Sequence, residues 1–303
     1  MNSTTGVAST VKTGVNFDIP RGACDCHVHV FDPARFPYDS GRVYTPPEAS
    51  VDDLRNLQAA LGFDRVIVVA PSVYGTDNSC TVNAVRQLGA RARGVVVLES
   101  SMTIAQLDDM AAAGVRGVRI NLETTEDTDA IAAKRALSTL AEKLRGRDWH
   151  IQFDTRLSVI KALKDEIASL PVPVVFSHFG RARAAFGTSQ PGFEDLIDLI
   201  KSGCAYVKIS APDRTSDKRP DFPDVAPLAR AIVDANADRV LWGSNWPHPG
   251  RAATLTAIAP PCPNDDGGVL NLLQTWVPDP AIRRKILVDN PGRLYQFVGP
   301  WWF

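Results

Sequence analysis

The sequence predicts one α/β domain, a single (β/α)8 TIM barrel over residues 21–303 with a short arm at 1–20 in front of it. Three observations predict it. Eight short apolar runs, rich in β-branched residues, alternate with amphipathic segments of helical period, the pattern of parallel strands and their crossover helices. The connections that follow strands, notably 31–49, 179–192, 211–222 and 246–265, are long and rich in Pro and Gly, whereas those that precede strands are short. In a barrel this asymmetry places the elaborated, functional face at the strand C-termini. Finally, the first strand runs into HVHVFDP, where a doubly wound nucleotide-binding sheet would carry a Gly-rich phosphate turn.

In chain order the strand runs are ACDCHVHV at 23–30, RVIVVA at 65–70, RGVVVLE at 93–99 and VRGVRIN at 115–121, then WHIQFD at 149–154, VPVVFSH at 172–178, CAYVKIS at 204–210 and RVLWGSN at 239–245. Helical periodicity fills 50–61, 76–90, 103–113, 128–147, 156–169, 191–202 and 223–237, with two further helices at 266–276 and 279–289. No internal repeat, low-complexity tract or linker divides the chain.

Composition excludes several function classes. Lys and Arg number 33 against 34 Asp and Glu, for a net charge of −1 and no basic run; nucleic acid and membrane surfaces both demand clustered cations, so neither is an expected partner. No apolar stretch approaches the roughly 18 residues of a membrane span. The opening MNSTTGVASTVKTGVNFDIP lacks the apolar core of a secretory signal, so a cytoplasmic protein is expected. The five cysteines are scattered, and Cys24 and Cys26 are too close along one strand for an ordinary disulfide, so reduced thiols are expected.

The histidines concentrate the chemistry. Four of the five fall at the C-terminal ends of predicted strands or just beyond: His27 and His29 on the first, His178 on the sixth, His248 past the eighth. The two-residue strand period sends His27 and His29 to one face, inward in a barrel, where an imidazole can bind metal or hydrogen-bond a carbonyl. An inward imidazole pair needs a polar purpose, because burial without partners is costly. His150, at the N-terminal side of its strand, is read as structural.

The arginines suggest the substrate. Arg119 ends the fourth strand, Arg181 follows His178 by three, and Arg214 lies in the loop after the seventh. Guanidinium forks grip carboxylates or sulfonates, so several at one mouth imply a small molecule with two anionic groups. Arg183 is assigned instead to a surface ion pair.

The segments DCHVH at 25–29, SHFGR at 177–181, WGSNWPHP at 242–249 and DNPGRLY at 289–295 resemble the amidohydrolase superfamily. More narrowly they resemble its branch of 2-pyrone-4,6-dicarboxylate lactonase, 4-sulfomuconolactone hydrolase and galactarolactone isomerase. VYTP at 43–46, GTDN at 75–78 and PDR at 212–214 extend the match. The resemblance implies a barrel enzyme that opens a small anionic lactone in aromatic or sugar-acid breakdown, with lactone isomerisation or silent lactone binding as alternatives. It makes His27, His29, His178 and Asn245 the catalytic set, and adds Tyr44, Ser72, Thr76, Gln152 and His248 to the substrate-binding arginines. Binuclear relatives use a mid-barrel carboxylated Lys or Glu, for which this chain offers Gln152, Asp154 and Lys208 instead. The cofactor expectation is therefore none, or one Zn²⁺ on His27, His29 and His178.

Position 245 departs from the hydrolytic pattern, in which WG[ST]DWPHP supplies an aspartate to take the proton of the attacking water. An amide has no useful basicity near neutral pH, so Asn245 can orient water without deprotonating it. Three explanations stand: an Asp→Asn variant, a hydrolase using another base such as Asp154, or an isomerase. Asp154 has a second role open to it, as buried partner of a histidine or arginine. The closing aromatics Trp301, Trp302 and Phe303 are expected to dock on the barrel or on a second subunit, leaving monomer and homodimer both open.

Overall fold

A computed structural model describes residues 10–99, 101–122, 129–250, 252, 254–260, 262 and 264–297. Eight parallel strands follow one another around a barrel in sequence order: β1 (Cys24–Val28), β2 (Arg65–Val69), β3 (Ala92–Val96), β4 (Val115–Asn121), β5 (His150–Asp154), β6 (Val174–Phe176), β7 (Ala205–Ser210) and β8 (Val240–Gly243). β1 meets β8 through a bridge between Val28 and Trp246, with the Asn245 amide donating to the His27 carbonyl at 2.8 Å and the His29 amide to the Trp246 carbonyl at 2.9 Å. That seam closes the (β/α)8 barrel.

The predicted helices form, with local edits. The helix Val51–Leu61 starts at a capping box made by Ser50 and Asp53 and stops at Gly62 in the left-handed conformation, the pairing of start and stop signals its sequence carries. The segment predicted as one helix at 156–169 is two, Leu157–Ala162 and Lys164–Ser169, broken at Leu163. The strands β1, β2, β3, β6 and β8 stop short of the C-terminal ends of their apolar runs. His178 and Asn245 adopt positive φ, 49° and 67°, so the chain turns out of the ladder where the polar residues begin.

Side chains of Cys24, Cys26, Ile67, Val69, Val95, Val175 and Leu241 gather with Tyr206, Tyr295 and Phe297 in one apolar cluster, separate from the shell between strands and helices. Their alternation with the shell residues places them inside the barrel, below the functional face. The β1–β2 register shifts between Asp25 and Val28. Such an irregularity re-aims a side chain, so Cys24 and Cys26 serve the floor while His27 and His29 serve the site above. All five cysteines are free. Asp25 fastens the seam, its Oδ1 accepting from the amides of His27 at 3.1 Å and Ser244 at 3.0 Å, and burial raises its carboxyl to about 6.

Described residues of the arm are docked. The amides of Lys12 and Thr13 donate to Asp265, and Asn16 and Gly14 bond Asn271. No helix among the described residues is long and apolar enough to cross a membrane. The aromatic tail at 301–303 lies outside the described residues.

Gly243 shows how tightly the seam is built. A Cβ there would stand 2.7 Å from the His27 Cβ and 2.8 Å from its backbone nitrogen. Gly243→Ala is therefore expected to cost about 1–3 kcal/mol, the range for overpacking, read as a lower urea midpoint. An unchanged midpoint would show that the seam yields.

Candidate active site

The loops after the strands enclose a cavity of about 540 Å³, lined by His29, His178, Asn245 and the three arginines that the sequence placed on this face, together with Tyr44 and Ser72. His27 lies against its histidine neighbours and is fully buried. Its ring centroid is 5.1 Å from that of His29, edge to face, and 4.7 Å from that of His178. One turn, Ser177 to Ala182, delivers both His178 and Arg181, each at positive φ.

All three imidazoles are held neutral. Burial lowers each, and nearby cations add to it: Lys208 for His27, Arg119 for His29, whose value falls to about 3, and Arg181 for His178. His29 Nδ1 donates to the Val69 carbonyl at 2.8 Å, which leaves its Nε2 as an acceptor. His178 Nδ1 bonds Ser210 Oγ at 2.8 Å. Neither ring nitrogen of His27 has a partner. A buried polar group without a partner is costly, and beside a cavity of this kind it points to a ligand.

The same cavity holds an ion cluster. Asp154, 1% exposed, accepts from Arg181 Nε at 2.7 Å and Nη2 at 2.9 Å, and from Arg119 Nη2 at 3.0 Å. Burial alone would raise its carboxyl, but the Arg181 and Arg119 guanidiniums override that and hold it well below the usual carboxylate range. Of the two roles open to Asp154, the structure shows the arginine partner. So weak a base is unsuited to activating water. Arg214 extends from the β7 side, half-exposed, 3.8 Å from Asp213. Arg183 pairs with Asp217 at 2.9 Å on the surface, as expected.

Three sequence candidates lie elsewhere. Thr76 is exposed, donates to Glu99 and is not on the cavity wall. Gln152 is buried beneath the site, where its Oε1 accepts from Lys208 Nζ at 2.6 Å. Lys208 also donates to the Cys26 carbonyl at 2.7 Å, and burial lowers its ammonium to about 7. His248 is buried with Nε2 on Asp266 Oδ1 at 2.7 Å, fastening the 246–265 loop to the helix Asp266–Trp276. Asn121, by contrast, lines the cavity and was not among the sequence candidates; it lies two residues beyond Arg119 on the same strand face, the spacing that would have found it. Asp266 had no sequence signal.

The His248–Asp266 pair carries a signed pH dependence. Burial by itself would lower His248, and the Asp266 carboxylate more than reverses it, raising the imidazole above its ordinary 6.5. The pair's contribution is therefore complete below the unfolded value and is lost as pH rises through the higher folded one. Asp266→Asn is expected to lower stability by about 1.5–3 kcal/mol at pH near 6, with a Tm deficit that narrows toward pH 9. A deficit that ignores pH would remove the ionic component.

As donors for a metal, His27, His29 and His178 fit zinc in kind and protonation: neutral imidazoles, two of them with Nδ1 already engaged as ligating histidines require. Among the described residues no three His, Cys, Asp or Glu side chains are disposed to hold a metal ion.

The amidohydrolase family model matches residues 24–297. The chain is similar to a 4-sulfomuconolactone hydrolase of Rhizobium radiobacter, at 38% identity over 94% of this chain and 93% of that one. It is also similar to a 2-pyrone-4,6-dicarboxylate hydrolase of Comamonas testosteroni, at 34% over 92% of each. A D-galactarolactone isomerase of Agrobacterium fabrum matches at 31% over 94% of each.

Proposed function

The chain belongs to the amidohydrolase family, and we propose that it opens a small lactone bearing carboxylate or sulfonate groups, within the cytoplasmic breakdown of aromatic or sugar acids. One observation carries this reading: the neutral imidazoles of His29 and His178 and the guanidiniums of Arg119, Arg181 and Arg214 line one cavity. The arginines, with Asp154, leave two net positive charges for a dianion. The names of the similar proteins point to the same class of substrate.

In this reading an anion on Arg119 and Arg181 and another on Arg214 fix the ring, and the N–H groups of His27 and His178 donate to the lactone carbonyl oxygen, since His29 spends its one N–H on the Val69 carbonyl. Water placed by Asn245 attacks the carbonyl carbon, the oxyanion is stabilised by those N–H donors, and collapse breaks the ring C–O bond as the water's proton passes to the departing ring oxygen, giving the hydroxy acid. A zinc ion, if His27, His29 and His178 moved from their present placement to ligate it, would supply Lewis-acid polarisation of the same carbonyl. The similarity to a galactarolactone isomerase supports a second reading, isomerisation, in which a substrate hydroxyl replaces water as nucleophile. Incubation with candidate lactones followed by NMR separates them: a hydroxy acid supports hydrolysis, a rearranged lactone supports isomerisation, and saturable binding without turnover reduces the protein to a binder. Metal analysis with activity after chelation decides whether zinc takes part.

Arg214→Met is expected to raise KM for a dianionic lactone by roughly 1.5–3 kcal/mol, the worth of a charged hydrogen bond. A monoanionic analogue should lose less; equal losses would show that Arg214 does not read the second anion.

A further inference from the structure

Among the described residues six large apolar side chains stand exposed, and three of them, Val43, Leu255 and Ile258, belong to the two loops that frame the cavity mouth. Those loops are joined: Thr45 Oγ1 donates to the Leu255 carbonyl at 2.7 Å, the Ala259 amide donates to the Thr45 carbonyl at 2.7 Å, and Thr45 pairs with Ile258 in a β-bridge. Val43 and Leu255 therefore flank a fixed joint, and both line the cavity. They are 47% and 59% exposed, whereas His29, Asp154 and His178 at the inner end are 8%, 1% and 3% exposed. Apart from the half-exposed Arg214, the cavity thus grades from charged and buried to apolar and open. Its volume of about 540 Å³ falls in the class that encloses drug-sized ligands, more than a lactone ring with two acid groups fills.

We propose that the lip formed by Val43 and Leu255 is a subsite for an apolar substituent, so that the substrate is an anionic lactone carrying an alkyl or aryl group. The ring and its anions enter first, and the apolar group rests on the lip. The inference rests on the lactone reading only for the identity of the inner group; the lip is continuous with the anion-binding cavity whatever chemistry occurs there. Isolated exposed apolar residues need no explanation, but a cluster rimming a polar cavity marks a binding surface.

The test uses the full chain and open-chain dianions, which need no turnover: succinate, propylsuccinate and pentylsuccinate, titrated calorimetrically. Affinity is expected to rise roughly two- to fourfold per added methylene, the worth of a methylene removed from water. In the double variant Val43→Ser, Leu255→Ser, checked for an unchanged melt, that slope should flatten. A flat slope in the unaltered chain, a slope that survives the double variant, or no binding by any member of the series would each overturn the subsite. A flat slope together with a dimer, seen by light scattering, that the double variant dissociates would assign the lip to a second copy of the chain instead. Turnover of alkyl lactones is followed separately: if none is opened while the succinate slope holds, the lactonase reading fails and the subsite stands.

Discussion

Asn245→Asp is expected to raise lactone hydrolysis by about 10²-fold or more, because a positioned general base contributes 10² to 10⁴. The backbone accepts the change: φ at 245 is 67°, and Asp tolerates that region almost as Asn does. Position 245 lines the cavity with His29 and His178, so a carboxylate there would face a water bound at the lactone carbonyl. Among the described residues the one other carboxylate on the cavity wall, Asp154, is occupied by Arg119 and Arg181. Product analysis sharpens the result. An enzyme that isomerises lactones should gain hydroxy-acid product at the expense of rearranged lactone. Unchanged or slower hydrolysis would mean that another group already serves as base, and the amide at 245 would lose its significance.

The second large effect is expected for His178→Asn, a fall in kcat of about 10²- to 10³-fold, the cost of one oxyanion donor. Asn is chosen because His178 sits at φ 49°, where Asn is tolerated and larger side chains are strained. The arginine cluster is left in place, so KM for a dianion should move far less than kcat. A rise in KM at constant kcat would transfer His178 from stabilising the oxyanion to binding the ground state. Retained kcat and KM together would remove it from the site.

The barrel was legible because its signals are local and repeated. Eight apolar runs of strand length and intervening helical periods state the fold many times over, so an error in one boundary does not change the answer. The split of the 156–169 helix at Leu163 and the early end of the sixth strand at Phe176 are misses of that harmless kind. The histidine site was legible for a related reason: the two-residue period and the barrel's polarity decide which face and which end a residue occupies. His27, His29, His178 and Asn245 do come together, and so do Arg119, Arg181 and Arg214. Thr76 was placed by the resemblance of its loop, and nothing in one sequence says that it turns outward to Glu99.

What the sequence by itself determined was the set of groups delivered to the functional face, their net positive charge and an amide at 245. Only the tertiary structure decided what those groups do to one another. Asp154 could have been a base or a partner, and the choice depends on two guanidiniums, 35 and 27 residues away along the chain, that arrive within 3.0 Å only when the barrel curves β4, β5 and the turn after β6 around one point. Likewise Gln152 became a support for Lys208 rather than a wall of the cavity, because depth inside a barrel is set by strand tilt and stagger. Protonation follows contact: an imidazole or carboxyl takes its state from the charges and the solvent within a few ångströms, and those distances exist only once the chain has closed.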